Sequence, residues 1–202
     1  MCAWQGMHRI SPVPEKDETM LNTDQERKLL ALWQQAVIQY KNGNRDAGAY
    51  FERDELDFLA ALGMNAGDVY DYAEDHVAYG EPDFVTFARI HELRRRYFHE
   101  VQQRRRSGVV ANPADFPSPE TEEAGIAWLP RIIEKARAKL RGELPPDLMY
   151  SCPADRRFLK RHDIHPAEFL RKVWEMENDR DKLVEWVARR VARRSPAKGT
   201  AA

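Results

Sequence analysis

The chain has 202 residues, of which 43% are hydrophobic and 32% charged, with a formal net charge of −1. That length allows one domain or two small ones, and a charged fraction above the usual ~25% favours amphipathic helices with solvated faces. Two cysteines are too few for a disulfide framework or a thiolate metal site, and no apolar run approaches the ~18 residues of a membrane span.

Residues 1–22 hold Pro12 and Pro14 without periodicity and read as a loose arm, which Trp4 and Met7 are placed to pin to a groove. Arg9, Glu15, Lys16 and Asp17 leave no apolar stretch for a signal peptide. Thr23 and Glu26 form a capping-box pattern that starts a helix with Leu29, Leu30, Trp33, Ala36, Val37 and Tyr40 on one stripe. Asn42-Gly43 ends it. A short helix over 54–62 stops at Gly63, and Asn65 caps another that runs to Val77. Pro82 suits the first turn of a long helix to about Arg106, with Phe84, Phe87, Ile90, Tyr97, Phe98 and Val101 as its apolar residues. Gly108, Pro113, Pro117 and Pro119 mark a linker.

Beyond the linker, Pro130 lies near the start of a main helix that Gly142 ends, and Pro145-Pro146 form an extended connection. Pro153 and Pro166 each fit a first helical turn. A last helix spans about Asp179 to Arg194, with Leu183, Val184, Trp186, Val187 and Val191. No strand-like alternation exceeds four residues. The class expected is all-α.

The elements repeat. Trp33 and Trp128 open comparable helices, and Tyr50 and Tyr150, Phe58-Leu59 and Phe158-Leu159, and Met64 and Ile164 follow at an offset of 100 residues. The organisation expected is two tandem divergent helical repeats packed into one compact bundle. Its parts are an arm (1–22), an acidic first repeat (23–106), a Pro-rich linker (107–119), a basic second repeat (120–194) and a disordered tail (195–202). Residues 1–93 carry 8 Lys+Arg against 17 Asp+Glu, net −9, while residues 94–202 carry 24 against 16, net +8. Such unlike charge suits docking of the halves, head-to-tail association into a homo-oligomer, or a basic surface for an anion or nucleic acid.

The second repeat resembles a bacterial family known only as domain of unknown function 5069. The resemblance rests on Trp128-Leu129-Pro130-Arg131, Lys135-Ala136-Arg137, Gly142, Tyr150, Cys152-Pro153, Asp155, Phe158-Leu159, Ile164 and the Asp179-to-Trp186 segment. It departs at His162-Asp163, where the family tends to have Leu-Gly; the first repeat keeps that pair as Leu62-Gly63. The first repeat resembles a more divergent member through Leu32-Trp33-Gln34, Asp57, Val69 and Pro82-Asp83-Phe84 with Phe87. It lacks the Leu-Pro-Arg and Lys-Ala-Arg elements. The family carries no established activity, so the resemblance implies a fold and a tandem arrangement.

Several constellations have chemical potential. Asp71, Glu74 and Asp75 share one helical face, where three carboxylates form a solvated surface, a docking surface for the basic half, or an acid–base or metal site in a cleft. His91 joins that set as a catalytic candidate if its helix brings it near. Arg131, Lys135 and Arg137, near Tyr150 and Asp155, read either as a buried Arg–Asp lock or as an anion site. Cys152 stands at a helix start with no histidine partner at suitable spacing. The arginine runs 94–96 and 104–106 flank Tyr97 and Phe98, a pattern also suited to nucleic acid. No phosphate loop, nucleophile elbow, dinucleotide fingerprint or zincin motif is present, so neither a metal nor a cofactor is assigned.

The function expected is a non-catalytic binding or interaction module in the cytoplasm. It would recognise a small anionic ligand or a protein partner between its repeats. An Asp/Glu/His enzyme and a nucleic-acid binder are the alternative classes.

Overall fold

A computed structural model describes residues 21–194, with Arg194 described for its backbone alone. The expected arm and tail, with Cys2, Trp4 and Met7, therefore lie outside the described residues apart from Leu21 and Asn22. The helices are α1 (Thr23–Lys41), α2 (Arg53–Ala61), α3 (Ala66–Tyr79), α4 (Phe84–Glu100), α5 (Leu129–Arg141), α6 (Pro153–Arg161), α7 (Pro166–Glu175) and α8 (Arg180–Arg194). The fold is all-α, and none of these helices is long and apolar enough to cross a membrane. A two-residue antiparallel hairpin pairs β1 (Glu122–Glu123) with β2 (Ile126–Ala127) before α5, too short to appear as an alternating run in the sequence.

Local chemistry explains the helix starts. The capping box of α1 is shifted one residue earlier than expected. Asn22 Oδ1 accepts from the Gln25 amide at 2.9 Å, and Gln25 Oε1 accepts from the Asn22 amide at 3.0 Å. In α3, Asn65 and Asp68 exchange the same pair of bonds at 2.9 Å each. These bonds satisfy amide donors that a helix start otherwise leaves open.

Helix α4 ends at Glu100, not near Arg106. Gln103 and Arg104 take left-handed φ values of 51° and 60°, turning the chain away from the helix axis. Tertiary bonds offset that conformational cost. Gln102 Nε2 donates to the Arg141 carbonyl at 3.0 Å, and Arg106 Nη2 donates to the Met64 carbonyl at 2.7 Å.

α3 packs on α1, and α7 packs on α5. α4 bridges the halves, touching α1 on one side and both α5 and α7 on the other. One hydrophobic core runs from Leu29, Leu32 and Trp33 through Phe87 and Ile90 to Ile132, Leu159, Phe169 and Leu183. Burying each large aliphatic chain stabilises the fold by ~1.5–3 kcal/mol before entropy is counted.

The unlike charges meet at this junction. Asp68 pairs with Lys139 at 2.5 Å, and Asp75 pairs with Arg156 at 2.7 Å. Glu81 lies 3.6 Å from Arg156 and 3.7 Å from Lys160. In each of these pairs the acid comes from the first half and the base from the second.

Candidate functional site

The acidic face of α3 and the basic face of α5 meet across a cleft of about 330 Å³. Asp71, Glu74 and Asp75 form one wall, Trp128, Arg131 and Lys135 the other, and Cys152 with the segment from Pro146 to Met149 closes the end. Two constellations that look separate in the sequence thus share one space. The α3 face reaches it because Val69, Tyr72 and Ala73 are fully buried on the neighbouring stripe, which rotates 71, 74 and 75 toward the second half.

Behind the cleft sits a buried polar hub centred on Asp155. Its carboxylate accepts from Lys135 Nζ at 2.5 Å, from the Ser151 amide at 2.9 Å and from Trp128 Nε1 at 2.9 Å. Ser151 adopts φ 67°, which turns its amide onto that carboxylate. Lys135 Nζ also lies 3.3 Å from Cys152 Sγ. The pairing differs from the expected Arg–Asp lock: Lys135, not an arginine, holds Asp155. Arg131, one turn earlier, instead donates to the Pro117 carbonyl at 2.8 Å with its guanidinium 5.9 Å from the Trp128 ring centroid.

Tyr150 is completely buried and braces the halves from behind. Its hydroxyl donates to the Pro166 carbonyl at 2.7 Å, and its carbonyl accepts from the Tyr72 hydroxyl at 2.8 Å. Arg137 lies away from the cleft, bound to Glu134 at 3.1 Å and to the Glu177 carbonyl at 3.4 Å.

His91 does not join the carboxylates at the cleft. It is buried on α4, with Nδ1–H donating to the Phe87 carbonyl at 2.9 Å and Nε2 accepting from Lys139 at 2.9 Å. Burial first, then the neighbouring Lys139 charge, depresses its pKa to about 4, although Asp68 pulls the other way. Its ring is therefore neutral, and its second nitrogen is committed to Lys139. Among the described residues no group of three or more His, Cys, Asp or Glu side chains is arranged to hold a metal ion.

Three carboxyls of α3, Asp68, Asp71 and Asp75, are shifted to different extents. Burial pushes the Asp71 carboxyl up to about 7; Lys139 opposes this, while Asp68, Glu74 and Asp75 reinforce it. Asp75 is also raised by burial, against the bond from Arg156. Burial would raise Asp68 too, but Lys139 and then His91 outweigh it and hold that carboxyl well below the usual range. Glu74 accepts from the Tyr40 hydroxyl at 2.7 Å. Asp71 makes no hydrogen bond or ion pair among the described residues, so a half-buried carboxyl faces the cleft uncommitted.

Sequence reasoning overlooks Asp68, Lys139 and Arg156 as partners across the junction. Lys139 does leave a signal. Together with Lys135 it interrupts the apolar stripe of Ile132, Ile133, Ala136 and Leu140, and a lysine there requires a buried acceptor. The arginine run at 94–96 is not a solvent-facing patch. Arg94 and Arg95 are each 3% exposed, and Arg96 pairs with Glu100 at 3.0 Å.

The molecule is thus an all-α protein whose two halves enclose a charged cleft. Residues 114–201 match the family described as Domain of unknown function (DUF5069), so the match takes in the basic wall of that cleft and leaves the acidic wall outside it. No curated protein and no solved structure matches the chain significantly.

Proposed function

We propose that this protein is a binding module whose inter-half cleft takes a small dipolar ligand. The ligand would set an anionic group against Arg131 and a protonated amine or other cationic group against the α3 carboxylates. The single observation that carries this reading is the uncommitted Asp71 carboxyl, facing the cleft opposite Arg131. A bare anion fits less well. Lys135 is neutralised by Asp155, while Asp71, Glu74, Asp75 and Asp147 all line the space.

We also read the first half as a divergent copy of the second, which makes the cleft a junction of two related units. In support, α2 and α6 start and end 100 residues apart, and α3 and α7 start 100 apart. Tyr50 and Tyr150 are buried alike.

Thermal-shift and NMR titration with zwitterionic amino acids, dicarboxylates and diamines tests the ligand chemistry. Zwitterions should bind best, and both Asp71→Asn and Arg131→Gln should weaken them about tenfold or more, roughly the ~1.4 kcal/mol of one lost charge-assisted contact. Affinity should rise between about pH 6 and 8 as Asp71 ionises. Equal binding of dicarboxylates and zwitterions would remove the dipolar reading.

A further inference from the structure

A second cavity at the junction shares no lining residue with the cleft. It measures about 130 Å³ and is bordered by the start of α3, the end of α5 and the turn after α4. Three cations, Arg94, Arg106 and Lys139, face a single carboxylate, Asp68. Lys139 and Asp68 pair with one another, so neither guanidinium has an ion-pair partner of its own among the described residues.

Arg94 is the unusual member. It is 3% exposed and forms no ion pair among the described residues. Its Nη1 donates to Gln102 Oε1 at 2.8 Å, and its guanidinium lies 5.2 Å from the Phe98 ring centroid. Neither contact supplies negative charge. A buried cation without a carboxylate is costly, and an anion beside it removes that cost. Burial pulls Arg94 down to about 10; Asp68 opposes this from a distance, Arg106 adds to it, and Tyr97 and Glu143 oppose it less.

The surroundings hold Arg94 in place. Gln102 ties it to the Arg141 carbonyl, and Gly142 leaves room for the guanidinium: a Cβ at 142 would lie 2.5 Å from Arg94 Nη2. Arg106 is anchored through the Met64 carbonyl. The amino end of the 14-residue helix α3 borders the same space and adds positive potential. Glu143, the next carboxylate along the chain, is occupied by Arg141 at 3.0 Å and Ser107 at 2.6 Å.

We propose that this cavity, walled by Arg94, Arg106 and Lys139, is a binding site for a phosphate-type oxyanion. Two planar guanidinium forks approach from α4 and from the turn after it, matching the several oxygens of a tetrahedral group, while the Lys139 ammonium, bonded to Asp68 and His91, offsets the one carboxylate in the wall. The volume is well below the roughly 300–1,000 Å³ of drug-sized ligand pockets, which limits the occupant to inorganic phosphate or one phosphate group of a small monoester. The site does not depend on the dipolar-ligand reading of the cleft.

The test is isothermal titration and thermal shift of the full chain with inorganic phosphate and with glycerol phosphate, against chloride at equal ionic strength. Saturable binding to one or both is expected, with a rise in melting temperature. Inorganic phosphate alone would make this a free-ion site, and tighter binding of the monoester a pocket for a phosphorylated small molecule. Arg106→Gln, on an exposed side chain, should weaken binding at least tenfold. Arg189→Gln removes the same charge from distant α8 and should leave it unchanged. Arg94→Gln should abolish binding if it folds; if it does not, Arg106→Gln carries the decision. No saturable binding to either phosphate, or equal weakening in Arg106→Gln and Arg189→Gln, overturns the site.

Discussion

Asp71 and His91 titrate in opposite senses, and each leaves a mark on stability. Asp71 is held at about 7, against an ordinary value of 3.8. Between those values the folded state keeps a proton that the unfolded chain has released. Stability therefore falls as pH rises through that window, and the loss is complete above about 7. Asp71→Asn removes the ionisation. It should exceed the parent protein by on the order of 1–3 kcal/mol at about pH 8, and the gain should shrink toward about pH 5. His91 falls from 6.5 to about 4, so below 6.5 the unfolded chain takes up the proton first. Its contribution is intact above 6.5 and is lost as pH drops toward 4. His99 and His165 are also lowered, and Asp75 and Glu92 are raised, so the His91 effect is isolated by difference. In the Asp71→Asn background, adding His91→Gln should flatten the stability profile from urea melts between about pH 7 and 4; an unchanged pH dependence would mean that His91 is not held neutral.

The turn between α2 and α3 shows how a local conformation and a tertiary contact combine. Gly63 has φ 72°, and a Cβ there would lie 2.7 Å from Phe98 Cγ on α4. Gly43, after α1, has φ 87° with nothing within 4 Å. Gly43→Ala should therefore cost only the left-handed strain, ~1–2 kcal/mol, while Gly63→Ala should add ~1–3 kcal/mol of overpacking. Chemical denaturation of the two variants measures that difference directly. The equivalent turn in the second half carries Asp163 at φ 54°, with an exposed side chain. Nothing presses on it there, so a residue with a Cβ is tolerated. That contrast accounts physically for Gly63 in one turn and Asp163 in the other.

The core is continuous across both halves, with α4 touching α1, α5 and α7. Neither half buries its apolar surface alone, and charged pairs cross the same junction. Unfolding should therefore be one cooperative transition. Urea curves by far-UV circular dichroism and by tryptophan fluorescence should coincide, since Trp33 reports on one half and Trp128, Trp174 and Trp186 on the other. Two separated transitions would show that the halves are independent units. Raising salt should lower stability only modestly. The crossing pairs Asp68–Lys139 and Asp75–Arg156 are largely buried and so are screened less than surface charges.

The number of helices among the described residues, most of their boundaries and their order are legible in the amino-acid sequence by itself, because periodicity, caps and proline placement act over a few residues. The capping box of α1 differs from expectation by one residue because Asn22-Gln25 and Thr23-Glu26 are both chemically competent, and geometry selects the first. The end of α4 is not legible, because its stop depends on Arg106 reaching Met64, 42 residues away. The polar partnerships are harder still. Asp68–Lys139 spans 71 residues and Asp75–Arg156 spans 81. No local pattern encodes which face of α3 meets which face of α5. Hydrophobic periodicity says which stripe is buried, but docking of the stripes decides which charges are trapped beside them. That docking places Asp71 opposite Arg131, draws His91 to Lys139 and leaves Arg94 without an ion-pair partner among the described residues.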